Sequence, residues 1–164
     1  MFNIVLVEPE IPQNTGNIVR TCAATGAKLH LVRPLGFEVT DKHLKRAGLD
    51  YWSDVEISYY DGIDEVFAKY PSSRFWFFTT KGLQRHSDAQ FAEGDFLVFG
   101  KESKGLPEEL LKDNRERCLR IPMIGETRSL NLSNSVAIAV FEGLRQLDYR
   151  GFKTEGQLHN LKWD

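Results

Sequence analysis

Apolar and polar positions divide the chain into short segments of alternating kind. NIVLV at residues 3–7 is a continuous apolar, β-branched run of the sort found in strands covered on both faces. Two prolines in EPEIP, residues 8–12, end it. A helical pattern follows over residues 15–25, with Ile18, Val19, Cys22 and Ala23 on its inner side and Gly26 as a stop. Residues 29–32 form the next strand, so the chain opens with a βαβ unit, which implies a parallel sheet with right-handed crossovers. The alternation continues: a short basic helix over 41–47, a strand over 55–59, a helix over 63–69, strands over 75–79 and 96–99, a helix from Pro107 through Leu111, and a last strand over 119–121. Val136, Val140, Leu144 and Leu147 then recur at helical spacing, with Ala137, Phe141 and Arg145 beside them. This predicts an amphipathic helix from about Ser133 whose apolar stripe needs cover. Periodicity is lost from Arg150, so one domain is expected over residues 1–150, with 151–164 as a C-terminal tail.

Composition narrows the class without naming a function. With 41% apolar and 27% charged residues in 164, the chain matches an ordinary globular domain that needs no covalent staple. The longest apolar run, residues 136–141, is far too short to span a bilayer, and the N-terminus lacks the basic and apolar regions of a signal peptide. No membrane association and a cytoplasmic location are expected. Cys22 and Cys118 stand apart, and His30, His43, His86 and His159 are scattered, so no metal site is expected and the histidines read as structural or surface residues. A net charge of −2 means that any RNA contact must rest on a local patch.

Chemistry is expected beyond the carboxyl ends of the strands, where open parallel sheets gather ligands. Loops at 8–16, 79–82, 100–107 and 122–133 are the candidates. The last crowds Thr127, Ser129, Asn131 and Ser133 ahead of a helix N-terminus, more hydrogen-bonding groups than one cap requires. In the third, Gly100 and Gly105 have the spacing of a phosphate-binding loop, but Leu106 and Pro107 replace the lysine and hydroxyl it needs. No Gly-x-Gly-x-x-Gly occurs either. The glycines suit both a tight turn without a ligand and a ligand held by main-chain groups.

Three segments, in this order, resemble the motifs of the SPOUT (SpoU–TrmD) RNA methyltransferases: NTGNIVR at 14–20, FGKESKGLP at 99–107, and IPMI at 121–124 with SLNLSNSVA at 129–137. VEPEIPQNTGN at 7–17 and RAGLDY at 46–51 extend the likeness to the short, single-domain subfamily that 2′-O-methylates the wobble ribose, cytidine or modified uridine, of certain tRNA-Leu species. The resemblance covers about residues 1–150. It implies an α/β fold with a mostly parallel sheet flanked by helices and a deep C-terminal trefoil knot, an exception to the usual absence of knots. It also implies S-adenosylmethionine as cofactor, tRNA as substrate, and a homodimer in which motif-one residues of one chain meet the cofactor of the other. Carried over position by position, the cofactor would be held, mostly through main-chain groups, by Phe78, Thr79, Gly100, Glu102, Ile121, Met123, Ser129, Leu130, Asn131 and Ser133.

The same resemblance assigns catalytic roles to Arg20, Asn14 and Glu102. Arg20 would grip a phosphate and stabilise the developing oxyanion, since a guanidinium stays charged and is a poor base. Asn14 would sit near the ribose or support Arg20, and Glu102 would organise its loop or pair with a nearby basic group. The proton acceptor stays open between Arg20 in an unusual state, a cofactor carboxylate and water. RNA binding would come from Arg20, Arg33, Lys42, Lys45 and Arg46, and Phe141 stands where some relatives carry a tyrosine. The alternatives are methylation at another tRNA or rRNA site, a non-catalytic RNA-binding module, and a nucleotide-binding enzyme of flavodoxin-like build.

Overall fold

The computed structural model describes residues 1–39, 49–125 and 129–163. Seven strands, β1 (Asn3–Val7), β2 (Lys28–Val32), β3 (Ile57–Tyr60), β4 (Phe75–Phe78), β5 (Gln84–Arg85), β6 (Phe96–Phe99) and β7 (Cys118–Arg120), form one sheet in the order β3-β2-β1-β6-β4-β7-β5. Every pairing is parallel, as the unbroken apolar runs imply. Among the described residues, four helices cover it: α1 (Pro12–Thr25), α2 (Ile63–Lys69), α3 (Glu108–Asp113) and α4 (Leu132–Gln146).

Alternate side chains of the longer strands build two cores. Ile4, Leu6, Leu29, Leu31, Leu97, Phe99 and Leu119 meet Ile18, Val19 and Cys22 of α1 and Val136, Ala139, Val140 and Leu144 of α4. On the other face Val5, Val7, Val32, Phe77, Phe96 and Val98 meet Val66 of α2 and Leu111 of α3. The α4 stripe read from the sequence is therefore core. Leu147, Tyr149 and Phe152 pack against the first cluster beyond the end of α4, and the chain after them is exposed. No helix among the described residues is long and apolar enough to cross a membrane.

The chain leaves β1 toward β2 and β3 on one side and reaches β6, β4 and β7 on the other. This reversal opens a crevice at the carboxyl ends of β1 and β6, the usual ligand position in such sheets.

Several boundaries differ from the expected ones. Helix α1 starts at Pro12 rather than Thr15, because proline fits the first helical turn, where its missing N–H costs nothing. Asn14 therefore projects from a helix and not from a loop. Strand β3 begins at Ile57 because a 3₁₀ turn over Leu49–Asp54 precedes it, leaving Val55 to fill the core outside the sheet. Strand β7 ends at Arg120, which frees Ile121 for the crevice, and α3 runs two residues past Leu111. Strand β5, two residues long, carries no readable period. The expected basic helix over 41–47 lies outside the described residues.

His30 on β2 is 1% exposed and has a structural role: Nδ1 meets the Tyr60 hydroxyl at 3.0 Å and Nε2 meets Asn3 Oδ1 at 3.2 Å. Burial, reinforced by the nearby Lys69 ammonium, holds its pKa down at about 4 against an ordinary 6.5. Between those values the unfolded chain binds the proton and the fold does not, so the contribution of neutral His30 is whole above about pH 6.5 and is lost as pH falls toward 4. Thermal melts should therefore fall between pH 6.5 and 4, and the fall should be shallower in His30→Gln, whatever its starting stability. Parallel pH profiles for the two proteins would remove His30 as the cause.

Candidate active site

The crevice holds a cavity of about 450 Å³, within the usual range for a whole small-molecule ligand. Its walls come from the N-terminal turn of α1 (Ile11, Asn14), the end of β4 (Phe78 to Lys81), the β6 loop (Phe99 to Leu106), and the segment after β7 (Ile121, Met123, Ser129 to Leu132, Ser135). Three of these walls owe their shape to identifiable local causes.

The β6 loop turns back on itself immediately. A Cβ on Gly100 would lie 2.1 Å from the Gly105 carbonyl carbon and 2.2 Å from the Leu106 nitrogen, so only glycine fits. Gly105, at φ 70°, closes the turn by donating its N–H to the Lys101 carbonyl at 2.8 Å. Main-chain groups are thereby brought to the cavity surface with no side chain in the way.

Helix α1 has no capping side chain of its own, since Ile11 occupies the N-cap. Glu102 supplies the acceptor from across the sheet. Its carboxylate accepts from the Glu10 N–H at 2.7 Å, the Ile11 N–H at 3.1 Å and Asn14 Nδ2 at 3.0 Å. An anion here satisfies free donors at the positive end of the helix. Asn14 Oδ1 in turn accepts from Asn131 Nδ2 at 2.9 Å, and Asn131 Oδ1 accepts from Ser133 Oγ at 2.7 Å and from the Asn134 N–H at 3.3 Å, capping α4. One hydrogen-bonded chain thus joins the three sequence motifs, and it fixes which end of the Asn14 amide faces each neighbour.

A second clasp lies beside it. Ser103 donates its N–H at 2.9 Å and its hydroxyl at 2.8 Å to Glu10, and these two bonds hold the Glu10 carboxyl below its ordinary pKa. Lys101 donates to Glu8 at 2.5 Å, and Glu8 sits at φ 52°, an uncommon conformation for a residue with a side chain. The loops after β1 and β6 are locked together from both sides.

Of the residues named from the sequence, Asn14, Phe78, Thr79, Gly100, Glu102, Ile121, Met123, Ser129, Leu130 and Asn131 line the cavity. Ser133 does not: it is buried behind Asn131, whose orientation it sets. Glu102 pairs with backbone donors and Asn14, with no basic partner among the described residues. Arg20 is away from the wall. It is exposed, about 9 Å along the α1 axis from Asn14 by helical rise, with its guanidinium 5.4 Å from the Tyr51 ring centre. Arg33 does not line the cavity either; it pairs with Asp61 at 3.0 Å and lies 5.4 Å from the Tyr59 ring centre. Lys42, Lys45, Arg46 and Thr127 lie outside the described residues. Glu8, Glu10, Lys81, Ser103 and Lys104 lie in the loops singled out from the sequence but have no role assigned there; acids at 8 and 10 and a lysine and serine at 101 and 103 are ordinary loop residues until the fold pairs them. The described residues contain no group of three or more side chains that could hold a metal.

Residues 1–141 match the SpoU rRNA Methylase family. The chain belongs to this family. Among SpoU relatives, a protein of Saccharophagus degradans named tRNA (cytidine(34)-2'-O)-methyltransferase is 49% identical over 154 residues, covering 93% of this chain and 100% of the relative. One of the same name from Methylovorus glucosotrophus is 51% identical over 152 residues, 92% of this chain and 99% of the relative. A solved structure described as "Structural insights into the 2-OH methylation of C/U34 on tRNA" superposes with a TM-score of 0.86 at 48% identity, over 92% of this chain and 98% of that one. The AdoMet-bound rRNA methyltransferase of Sinorhizobium meliloti, a larger chain, superposes with a TM-score of 0.77 at 26% identity, over 89% of this chain and 56% of its own.

Proposed function

We propose that this SpoU-family chain is an S-adenosylmethionine-dependent methyltransferase acting on the 2′-oxygen of the wobble-position ribose, cytidine or modified uridine, in tRNA-Leu anticodon loops. The observation that carries the reading is the meeting of all three family motifs in one hydrogen-bonded wall around a cavity of nucleoside-cofactor size. It is supported by half-identical relatives of that name and nearly the same length. The cavity fits the cofactor: the tight loop that Gly100 permits forms one wall, and Phe78, Phe99, Ile121, Leu130 and Leu132 offer apolar surface for a ring.

When bound, S-adenosylmethionine supplies an electrophilic methyl group. Residues of the chain do the rest. The Glu102–Asn14–Asn131 chain holds the β6 loop, α1 and the start of α4 in one fixed arrangement, so that a ribose oxygen and the methyl group can be aligned; such alignment is worth effective molarities of about 10⁵ M or more. Arg20 grips a phosphate and stabilises negative charge on the 2′-oxygen. Its distance from the cavity of its own subunit accords with a homodimer in which Arg20 of a second copy completes the site. Ile138 and Phe141, 39% and 45% exposed on the outer face of α4, offer apolar surface for that pairing. A trefoil knot is supported by the position of β7 between β4 and β5. We assign residues 1–150 to one domain with a C-terminal tail, and place the enzyme in the cytoplasm with its tRNA.

Incubation with a labelled methyl donor and unmodified total tRNA, followed by nuclease mapping, tests the reading. Label is expected on a wobble ribose; label on rRNA or at another tRNA position would overturn the substrate assignment.

A further inference from the structure

A second cavity, of about 240 Å³, adjoins the first on the other side of the loop after β4, and Thr79 and Lys81 line both. Leu111 and Cys118 form its apolar floor and Leu83, 76% exposed, stands at its edge. Lys81, Lys112 and Arg115 supply its polar groups. It is below the usual size for a whole ligand, so it suits one group of a longer molecule. Its charge is out of keeping with the chain. Against a net −2 overall, the wall carries three cations and no carboxylate. Lys81 is paired with Glu108 at 2.5 Å, but Lys112 and Arg115 have no ion-pair partner among the described residues. Asp113 and Glu116, on the same stretch, are not part of the wall. Two unpaired cations beside an apolar floor, in a cavity that shares Thr79 and Lys81 with the one assigned to the methyl donor, complement a nucleic-acid backbone.

We propose that this groove binds the tRNA substrate next to the nucleotide being methylated, with Lys112 and Arg115 on backbone phosphates and the sugar or base against Leu83 and Leu111. The proposal rests on the tRNA reading above and extends it: the substrate would be held on the α3 side of the sheet as well as by Arg20. Lys81 is shared between Glu108 and the RNA, so Glu108 acts as an internal competitor for one phosphate contact.

Binding of unmodified total tRNA, measured over a range of salt concentrations, tests it. The Lys112→Ala/Arg115→Ala protein should bind about an order of magnitude more weakly at low salt, with a log–log salt slope smaller by about two, while calorimetry shows unchanged S-adenosylmethionine affinity. Glu108→Gln should do the reverse, tightening tRNA binding about threefold and steepening the slope by roughly one, a gain that misfolding cannot imitate. Unchanged affinity and slope in the double variant would overturn the groove and leave the methyltransferase reading intact. Binding that depends on Lys112 and Arg115 in a protein that transfers no methyl group would overturn the methyltransferase reading and keep the groove. A wild-type protein that binds no tRNA would overturn both.

Discussion

Gly100→Ala is expected to lose S-adenosylmethionine binding by roughly 10²-fold, the equivalent of about 3 kcal/mol at the upper end of what overpacking costs. The new methyl group would meet the carbonyl carbon and oxygen of Gly105 at 2.1 and 2.4 Å and the Leu106 nitrogen at 2.2 Å. All three are backbone atoms, so no side chain can swing aside. The loop must open, breaking the 2.8 Å bond from Gly105 N–H to the Lys101 carbonyl and shifting Glu102, on which the start of α1 depends. Calorimetry against the cofactor reads the loss. Gly156→Ala, which adds a methyl group where nothing lies within 4 Å, is the matched control and should bind normally. Retained affinity in Gly100→Ala would mean that the β6 loop does not form the cofactor wall.

Arg20→Ala is expected to lower kcat by about 10²–10³-fold, the usual consequence of removing a donor to a developing oxyanion. Cofactor affinity should stay the same, because Arg20 does not line the cavity. Mixing subunits separates the two ways in which it could act. If Arg20 serves the site of a second copy, Arg20→Ala chains, with intact cavities, should regain turnover when combined with Gly100→Ala chains, which keep the arginine. No recovery in the mixture would confine Arg20 to its own subunit. Full activity in Arg20→Ala alone would remove it from the reaction.

The sheet was legible in the sequence for a simple reason. Strands buried on both faces carry unbroken apolar runs, and NIVLV and FLVF have no other good use in a chain of this composition. Punctuation was less legible. Pro12 reads as a breaker after Pro9, yet it occupies the one helical turn that tolerates it, and Asn14 gains its position from that. The site divides in the same way. The resemblance located most of the cofactor wall, which no periodicity could have done, but it placed Ser133 on a surface that it only supports from behind. The pairings that hold the wall together span great lengths of chain: Glu10 meets Ser103, and Glu102 meets Asn14. Each residue has an ordinary local explanation as a loop acid, a loop serine or a helix-start amide, so only the folded sheet reveals the partner.

The interleaved edge of the sheet bears on how the protein is made. Among the described residues, strand β5 has β7 as its sole neighbour, and β7 lies between β5 and β4, although more than thirty residues of chain separate β5 from β7. On a ribosome, where synthesis proceeds at about 5–20 residues per second and early segments settle first, β1, β2, β3, β4 and β6 can assemble as they emerge. Gln84 and Arg85 must wait unpaired until Cys118 to Arg120 have appeared and slipped in beside Phe78. The nascent chain therefore carries an incomplete edge until Cys118 to Arg120 have emerged, and the crevice that is to hold the methyl donor acquires its far side only then.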